Sequence, residues 1–214
     1  MRGAADCRLA GAVGGLACKS GSCNLKDIIV LGGPNGAGKT TAARALLPGS
    51  LGIREFVNAD EIARGLSPFN EAGAALAAGR LMIERMRHLA RIGESFAFET
   101  TCAGRAHVEF LRGCRAQGWR VTLLYLWLPS PEAAIERVAR RVSLGGHDIS
   151  SDVIVRRYWK GLSNMRSLYL PLADLAAIYE NSDDARVLVA ERKHEMPLIV
   201  HDPARWALIV GEMQ

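Results

Sequence analysis

Gly33-Pro34-Asn35-Gly36-Ala37-Gly38-Lys39-Thr40 comes one residue after the apolar run Ile28-Ile29-Val30-Leu31, and this stretch decides the fold. The apolar run reads as a buried parallel strand, and the eight residues after it have the spacing of a phosphate-binding loop. Glycines are required there because the loop turns sharply and aims backbone N–H groups inward, in conformations that a side chain would obstruct. Thr41-Ala42-Ala43-Arg44-Ala45-Leu46-Leu47 then forms a helix that stops at Pro48-Gly49. Strand, loop and helix therefore appear in the order that sets nucleotide phosphates on a helix N-terminus, which predicts binding of ATP or GTP by residues 33–41. Lys39 supplies charge for the β- and γ-phosphates. The Thr40 hydroxyl is placed to ligate the magnesium ion that bridges them.

The remaining composition fits a single compact enzyme domain. The chain has 214 residues, of which 49% are hydrophobic, enough to bury a substantial core. Its 27 basic and 22 acidic side chains leave a net charge of +5, which suits an acidic small-molecule ligand. With 6% aromatic residues and no Lys/Arg run interleaved with Phe or Tyr, the sequence argues against nucleic acid as a partner. No window is long and apolar enough to cross a bilayer. Residues 1–25 are rich in Gly, Ala and Ser, lack a clear period and hold Cys7, Cys18 and Cys23, so a loosely ordered extension is expected before a single domain over 26–214. The odd cysteine count fits reduced thiols in a cytoplasm. Cys102 and Cys114 are expected as small buried packing residues.

Beyond the loop, strand-like and helix-like runs alternate. That pattern predicts an α/β three-layer sandwich with a mainly parallel sheet of about five strands, at 28–31, 53–57, 95–99, 119–128 and 173–179. Helices are expected from about 58–60, from a Ser67 cap to about 92, and over 106–117, 132–142 and 151–165. A terminal hairpin at 186–191 and 198–201 and a closing helix at 203–210 complete the reading.

Ligands of such sheets bind outside the carboxyl ends of the strands. Three of these ends carry chemistry: Asn58-Ala59-Asp60-Glu61, Glu99-Thr100-Thr101 with Arg105 close behind, and Asn181-Ser182. Asp60 reads either as a helix cap or as the carboxylate that accepts the proton of an attacking hydroxyl. Glu99 ends the apolar phrase Phe96-Ala97-Phe98 and needs a partner there: a substrate hydroxyl, magnesium-bound water, or an arginine in a structural pair. Five arginines lie on two helices flanking Gly145-Gly146, at about 137–160, and look like a lid that closes on the phosphates. Arg141 and one of Arg156 and Arg157 are expected to reach inward. Arg137 and Arg140 are read as surface, and His147 as a turn residue of the lid.

The loop 33–41, Val57-Asn58-Ala59-Asp60-Glu61-Ile62-Ala63, Phe98-Glu99-Thr100-Thr101, and Gly145-Gly146-His147-Asp148 with Arg156-Arg157-Tyr158 together resemble the zeta-toxin family. The resemblance spans roughly residues 25–182 and is closest to the short members called predicted ABC-type ATPases. It implies a kinase that uses ATP and magnesium to phosphorylate a sugar hydroxyl of UDP-N-acetylglucosamine, blocked by a small antitoxin. On that resemblance Asp60 is the base, Lys39 and Thr40 hold ATP and magnesium, and Glu99, Thr101 and Arg105 fall near the sugar nucleotide. Lid arginines, Arg141 and Arg157 among them, clamp the γ-phosphate. Two other readings of the residues stay open: a kinase for a different hydroxyl, and a nucleotide-gated binding module or ATPase.

Overall fold

The computed structural model describes residues 26–146, 148–182, 186–194 and 196–211; the extension expected over 1–25, with Cys7, Cys18 and Cys23, and the turn residue His147 lie outside them. Strand β1 (Asp27–Gly32) is buried along nearly its whole length, as an unbroken apolar run requires. Helix α1 (Lys39–Leu46) follows the phosphate loop. Strand β2 (Glu55–Val57) and helices α2 (Ala59–Leu66) and α3 (Glu71–Ile92) come next. They are followed by β3 (Phe96–Thr100), α4 (Ala106–Ala116), β4 (Arg120–Trp127), α5 (Pro131–Ser143) and α6 (Ser151–Asn164). A π-turn (Met165–Tyr169) and one last helical turn (Leu170–Leu172) lead into β5 (Leu175–Glu180). Strands β6 (Val187–Lys193) and β7 (Ile199–Val200) and helix α7 (Pro203–Val210) close the described chain.

The sheet has seven strands in the order β2-β3-β1-β4-β5-β6-β7. β1 through β5 are mutually parallel, while β6 and β7 run antiparallel and extend the same sheet. The five-strand expectation therefore undercounts. The terminal hairpin joins the sheet because β6 pairs along the whole of β5, from Leu175↔Lys193 to Glu180↔Val187. β4 is buried on seven successive residues, so both faces of the sheet are covered. β1 sits inside the sheet between β3 and β4, and its register with β3 sets Leu31 opposite Glu99 and Gly32 opposite Thr100.

One helix start differs from expectation. Ser67 caps the end of α2, donating its N–H to the Ala63 carbonyl (2.9 Å), and α3 begins after Asn70, whose Oδ1 accepts from Gly73 N–H (3.0 Å). An Asn side chain reaches an unpaired first-turn N–H as well as Ser does, so the later cap wins.

The two helices of the expected lid are α5 and α6. α5 buries Ala134 and Val138, and α6 buries Ile154, Tyr158 and Leu162, so both helices are seated on the core. Tyr158 receives a hydrogen bond from Trp127 Nε1 (3.1 Å) and donates one to the Leu128 carbonyl (2.7 Å). Asn164 Nδ2 donates to the carbonyls of Cys102 (2.8 Å) and Ala103 (3.1 Å). Gly161 lies so close to the Thr101 carbonyl that a Cβ there would overlap it. These contacts seat α6 against β4 and the segment after β3. Among the described residues no helix is long and apolar enough to cross a membrane.

Candidate active site

The phosphate loop adopts the strained turns its glycines permit. Gly33, Gly36 and Gly38 all have positive φ (142°, 76° and 81°), and a Cβ on Gly33 would strike the Leu126 carbonyl of β4. Gly38 is the N-cap of α1 and offers no side-chain acceptor, so the first N–H groups of the helix remain available to an anion. Asn181, at the end of β5, braces the loop: its Nδ2 donates to the Ala37 carbonyl (2.7 Å), and its Oδ1 accepts from Arg186 Nε (3.1 Å).

Lys39 is only 5% exposed, and its Nζ donates to the Pro34 carbonyl (2.8 Å) and lies 3.5 Å from Glu99 Oε1. The parallel register of β1 and β3 brings Glu99 there. Its Oε2 accepts from Thr40 Oγ1 (2.7 Å) and from Asn58 Nδ2 (2.9 Å). The partners of this carboxylate are thus a lysine, a hydroxyl and an amide, in place of the arginine considered from sequence. Thr40 Oγ1 and the Glu99 carboxylate form a hard oxygen donor pair. Such a pair fits a magnesium ion that takes most of its remaining ligands from phosphate and water. Among the described residues no group of three or more His, Cys, Asp and Glu side chains converges on a metal position.

Asn58 also caps α2, with Oδ1 accepting from the N–H groups of Asp60 (2.8 Å) and Glu61 (3.4 Å). The cap is therefore Asn58, and Asp60 stands in the first turn of α2 with its carboxylate outside the capping interaction.

Beside the loop lies a cavity of about 300 Å3 whose wall includes Asn35, Lys39, Asp60, Glu99, Thr101 and Arg157. These six residues, all singled out from sequence, thus border one space. His107, in the first turn of α4, and Gly104 also line it. His107 packs on Phe98 with ring centroids 5.1 Å apart, its Nδ1 is buried without a hydrogen-bond partner, and burial lowers its pKa from 6.5 to about 4. The sequence carried a signal for it: Val108, Leu111 and Cys114 mark the buried stripe of α4, and His107 falls next to that stripe.

Two expected residues lie elsewhere. Arg105 precedes α4, is exposed, and does not line this cavity, because the helix turns His107 inward instead. Arg141 does not line it either. It ends α5, where its carbonyl accepts from Gly146 N–H (3.0 Å) and its side chain folds over Gly146. Arg137, read as surface, is instead half-buried against the phosphate loop. A Cβ on Gly36 would lie 2.9 Å from Arg137 Cβ, and the guanidinium donates to the Ser182 carbonyl. Arg140 and Arg156 are exposed, as surface residues should be.

Cys102 and Cys114 are free and buried, and burial pushes their thiols up to about 12 and about 11, so both stay protonated packing groups.

Known proteins share this architecture. A chain from the PezAT chromosomal toxin-antitoxin system of Streptococcus pneumoniae superposes with a TM-score of 0.63 at 21% identity, over 97% of this chain and 87% of that one. A chain of the AvrRxo1-ORF1:-ORF2 complex with ATP gives 0.68 at 17% identity, over 97% and 68%. An uncharacterized protein of Haemophilus influenzae is 29% identical over 126 residues, 59% of this chain and 88% of the relative. The structural likenesses establish a P-loop kinase-like fold. The family model described as AAA domain matches residues 28–160, and the chain belongs to that AAA domain family of P-loop proteins.

Proposed function

We propose that the protein is an ATP-dependent phosphotransferase of the zeta-toxin type that phosphorylates a hydroxyl of a sugar nucleotide, UDP-N-acetylglucosamine being the first acceptor to try. One observation carries this reading: Asp60, Lys39 and Glu99 border a single cavity beside the phosphate loop, with Arg157 on its wall. A binding-only P-loop protein has no need of a second carboxylate, Asp60, on the wall that also carries Lys39 and Glu99.

In this reading residues 33–41 would hold ATP, and Thr40 Oγ1 and the Glu99 carboxylate would hold magnesium. The metal supplies charge neutralisation at the β- and γ-phosphates. Asp60 accepts the proton of the acceptor hydroxyl as that oxygen bonds the γ-phosphorus and the bond to the ADP oxygen breaks. Lys39 and Arg157 balance the charge of the phosphoryl group in transit. Thr101 orients the acceptor. The catalytic unit is the domain from residue 26 onward, acting in the cytoplasm where ATP is abundant. The toxin-antitoxin context of the pneumococcal structure supports a protein antitoxin as partner.

The test is incubation with magnesium-ATP and a panel of sugar nucleotides, read as a mass gain of one phosphoryl group. A second reading, phosphorylation of a smaller hydroxyl compound, is favoured by the size of the cavity. About 300 Å3 lies at the lower limit of small-molecule pockets, which run to roughly 1,000 Å3. Free monosaccharides and polyols belong in the same panel.

A further inference from the structure

The acceptor side of the cavity contains a residue to which the reaction just described gives no role. His107 is carried there by the first turn of α4, its ring held on Phe98 at 5.1 Å. Its Nδ1 is closed off from solvent and has no partner among the described residues. A neutral imidazole has one N–H and one lone pair, and an N–H buried without an acceptor is destabilising. The proton therefore belongs on Nε2. With Nδ1 closed off, the ring edge left to form the cavity wall is the one that carries Nε2.

The charges around the ring sharpen this. Lys39 and Arg157 bring two cations to the cavity, and Asp60 and Glu99 two carboxylates, so the lining is balanced without the histidine. An uncharged ring N–H in such a setting recognises an uncharged oxygen, a hydroxyl or a carbonyl. It gives no advantage to a second phosphate.

Resting on the phosphotransferase reading above, we propose that His107 is a specificity-determining residue, which donates an Nε2–H hydrogen bond to a neutral oxygen of the phosphate acceptor and orients it toward Asp60. Burial supports the assignment, because an imidazole held far below its ordinary pKa stays a neutral donor across the physiological range.

Two substitutions separate recognition from packing. His107→Phe keeps a ring on Phe98 and deletes the donor; His107→Gln places an amide N–H near the former Nε2 position. With UDP-N-acetylglucosamine as the probe, His107→Phe is expected to raise the acceptor KM about tenfold, the worth of one hydrogen bond, while the ATP KM is unchanged. His107→Gln should restore most of the loss. An unchanged acceptor KM in His107→Phe, or equal losses in both variants, overturns the proposal.

If the wild-type protein transfers phosphate to no sugar nucleotide, the sugar-nucleotide reading fails, and the same pair is compared on whichever polyol or monosaccharide of the panel accepts phosphate. The ring is also read without any acceptor. In 15N-labelled protein with magnesium-ADP, His107 should show the Nε2–H tautomer at pH 7, and an Nδ1–H or doubly protonated ring rejects the assignment even if nothing is phosphorylated.

Discussion

The Thr40 hydroxyl donates a 2.7 Å hydrogen bond to Glu99 Oε2, tying the first turn of α1 to the end of the neighbouring strand β3. The same carboxylate oxygen accepts from Asn58, and its partner oxygen faces Lys39, so Glu99 joins three segments at the phosphate loop. In P-loop enzymes a carboxylate on a neighbouring strand holds the metal beside the loop hydroxyl. Glu99→Gln keeps the shape and both donors' geometry but removes the charge. We expect a fall in turnover on the order of a hundredfold and a higher magnesium requirement, with far-UV circular dichroism unchanged. Turnover with an unaltered magnesium titration would restrict Glu99 to holding Asn58 and Thr40 in place.

Lys39→Ala should abolish transfer. The lysine is buried rather than exposed, contrary to what a loop position suggests, and it lies 3.5 Å from Glu99. Its loss leaves that carboxylate without a cation. A modest fall in Tm is therefore expected beside the loss of nucleotide binding, and it should be partly reversed in Lys39→Ala/Glu99→Gln. Calorimetry on the single and double variants checks both parts.

Asp60→Asn should retain ATP binding while transfer drops between about a hundredfold and ten-thousandfold, because an amide cannot accept the hydroxyl proton. Helix capping is not at stake, since Asn58 performs it. Asn58→Ala is the matching control. It should cost about 1 kcal/mol of stability from the lost cap and also loosen Glu99, so that both Tm and turnover fall. Near-normal single-turnover rates in Asp60→Asn would leave proton removal to solvent or phosphate.

His107 makes stability depend on pH. Its pKa is about 4 in the folded chain against 6.5 when unfolded. Between those values the unfolded chain binds a proton that the folded chain does not, so stability falls as pH drops from 6.5 to 4 and is fully present above 6.5. The shift corresponds to a loss of up to about 3 kcal/mol. Lys39, Asp60, Glu99 and Arg157 share the cavity with the ring and are common to both proteins compared. Comparing urea unfolding of wild type and His107→Phe at pH 7 and pH 4.5 isolates the imidazole. Parallel stability curves for the two proteins would contradict a buried neutral ring.

What the sequence made legible was local or strictly patterned. Residues 28–41 announce strand, loop and helix by their order, and the buried run of β4 announces itself by its continuous apolar residues. Contacts set by register across distant segments left no such trace. Glu99 meets Thr40 because Leu31 pairs with Glu99, a match between strands far apart in sequence. The arginines of α5 show the same limit: helical spacing places Arg137 and Arg141 on one face but does not say which of them lies over the loop. Gly36, which leaves room for Arg137, decides it. The anchoring of α6 was hidden for a related reason, since Tyr158 finds Trp127 and Leu128 only after the sheet has formed.

The sheet ends on one side in the three residues of β2 and on the other in the two of β7. Strand addition needs a row of unpaired backbone groups long enough to hold an incoming segment; among the described residues β2 offers three residues, and β7 covers β6 only at Ala190 and Glu191. The long strands β1, β4 and β5 are all interior. A partner that reaches the strands carrying the phosphate loop must come through helices and loops, because β1 and β4 have a strand on both sides.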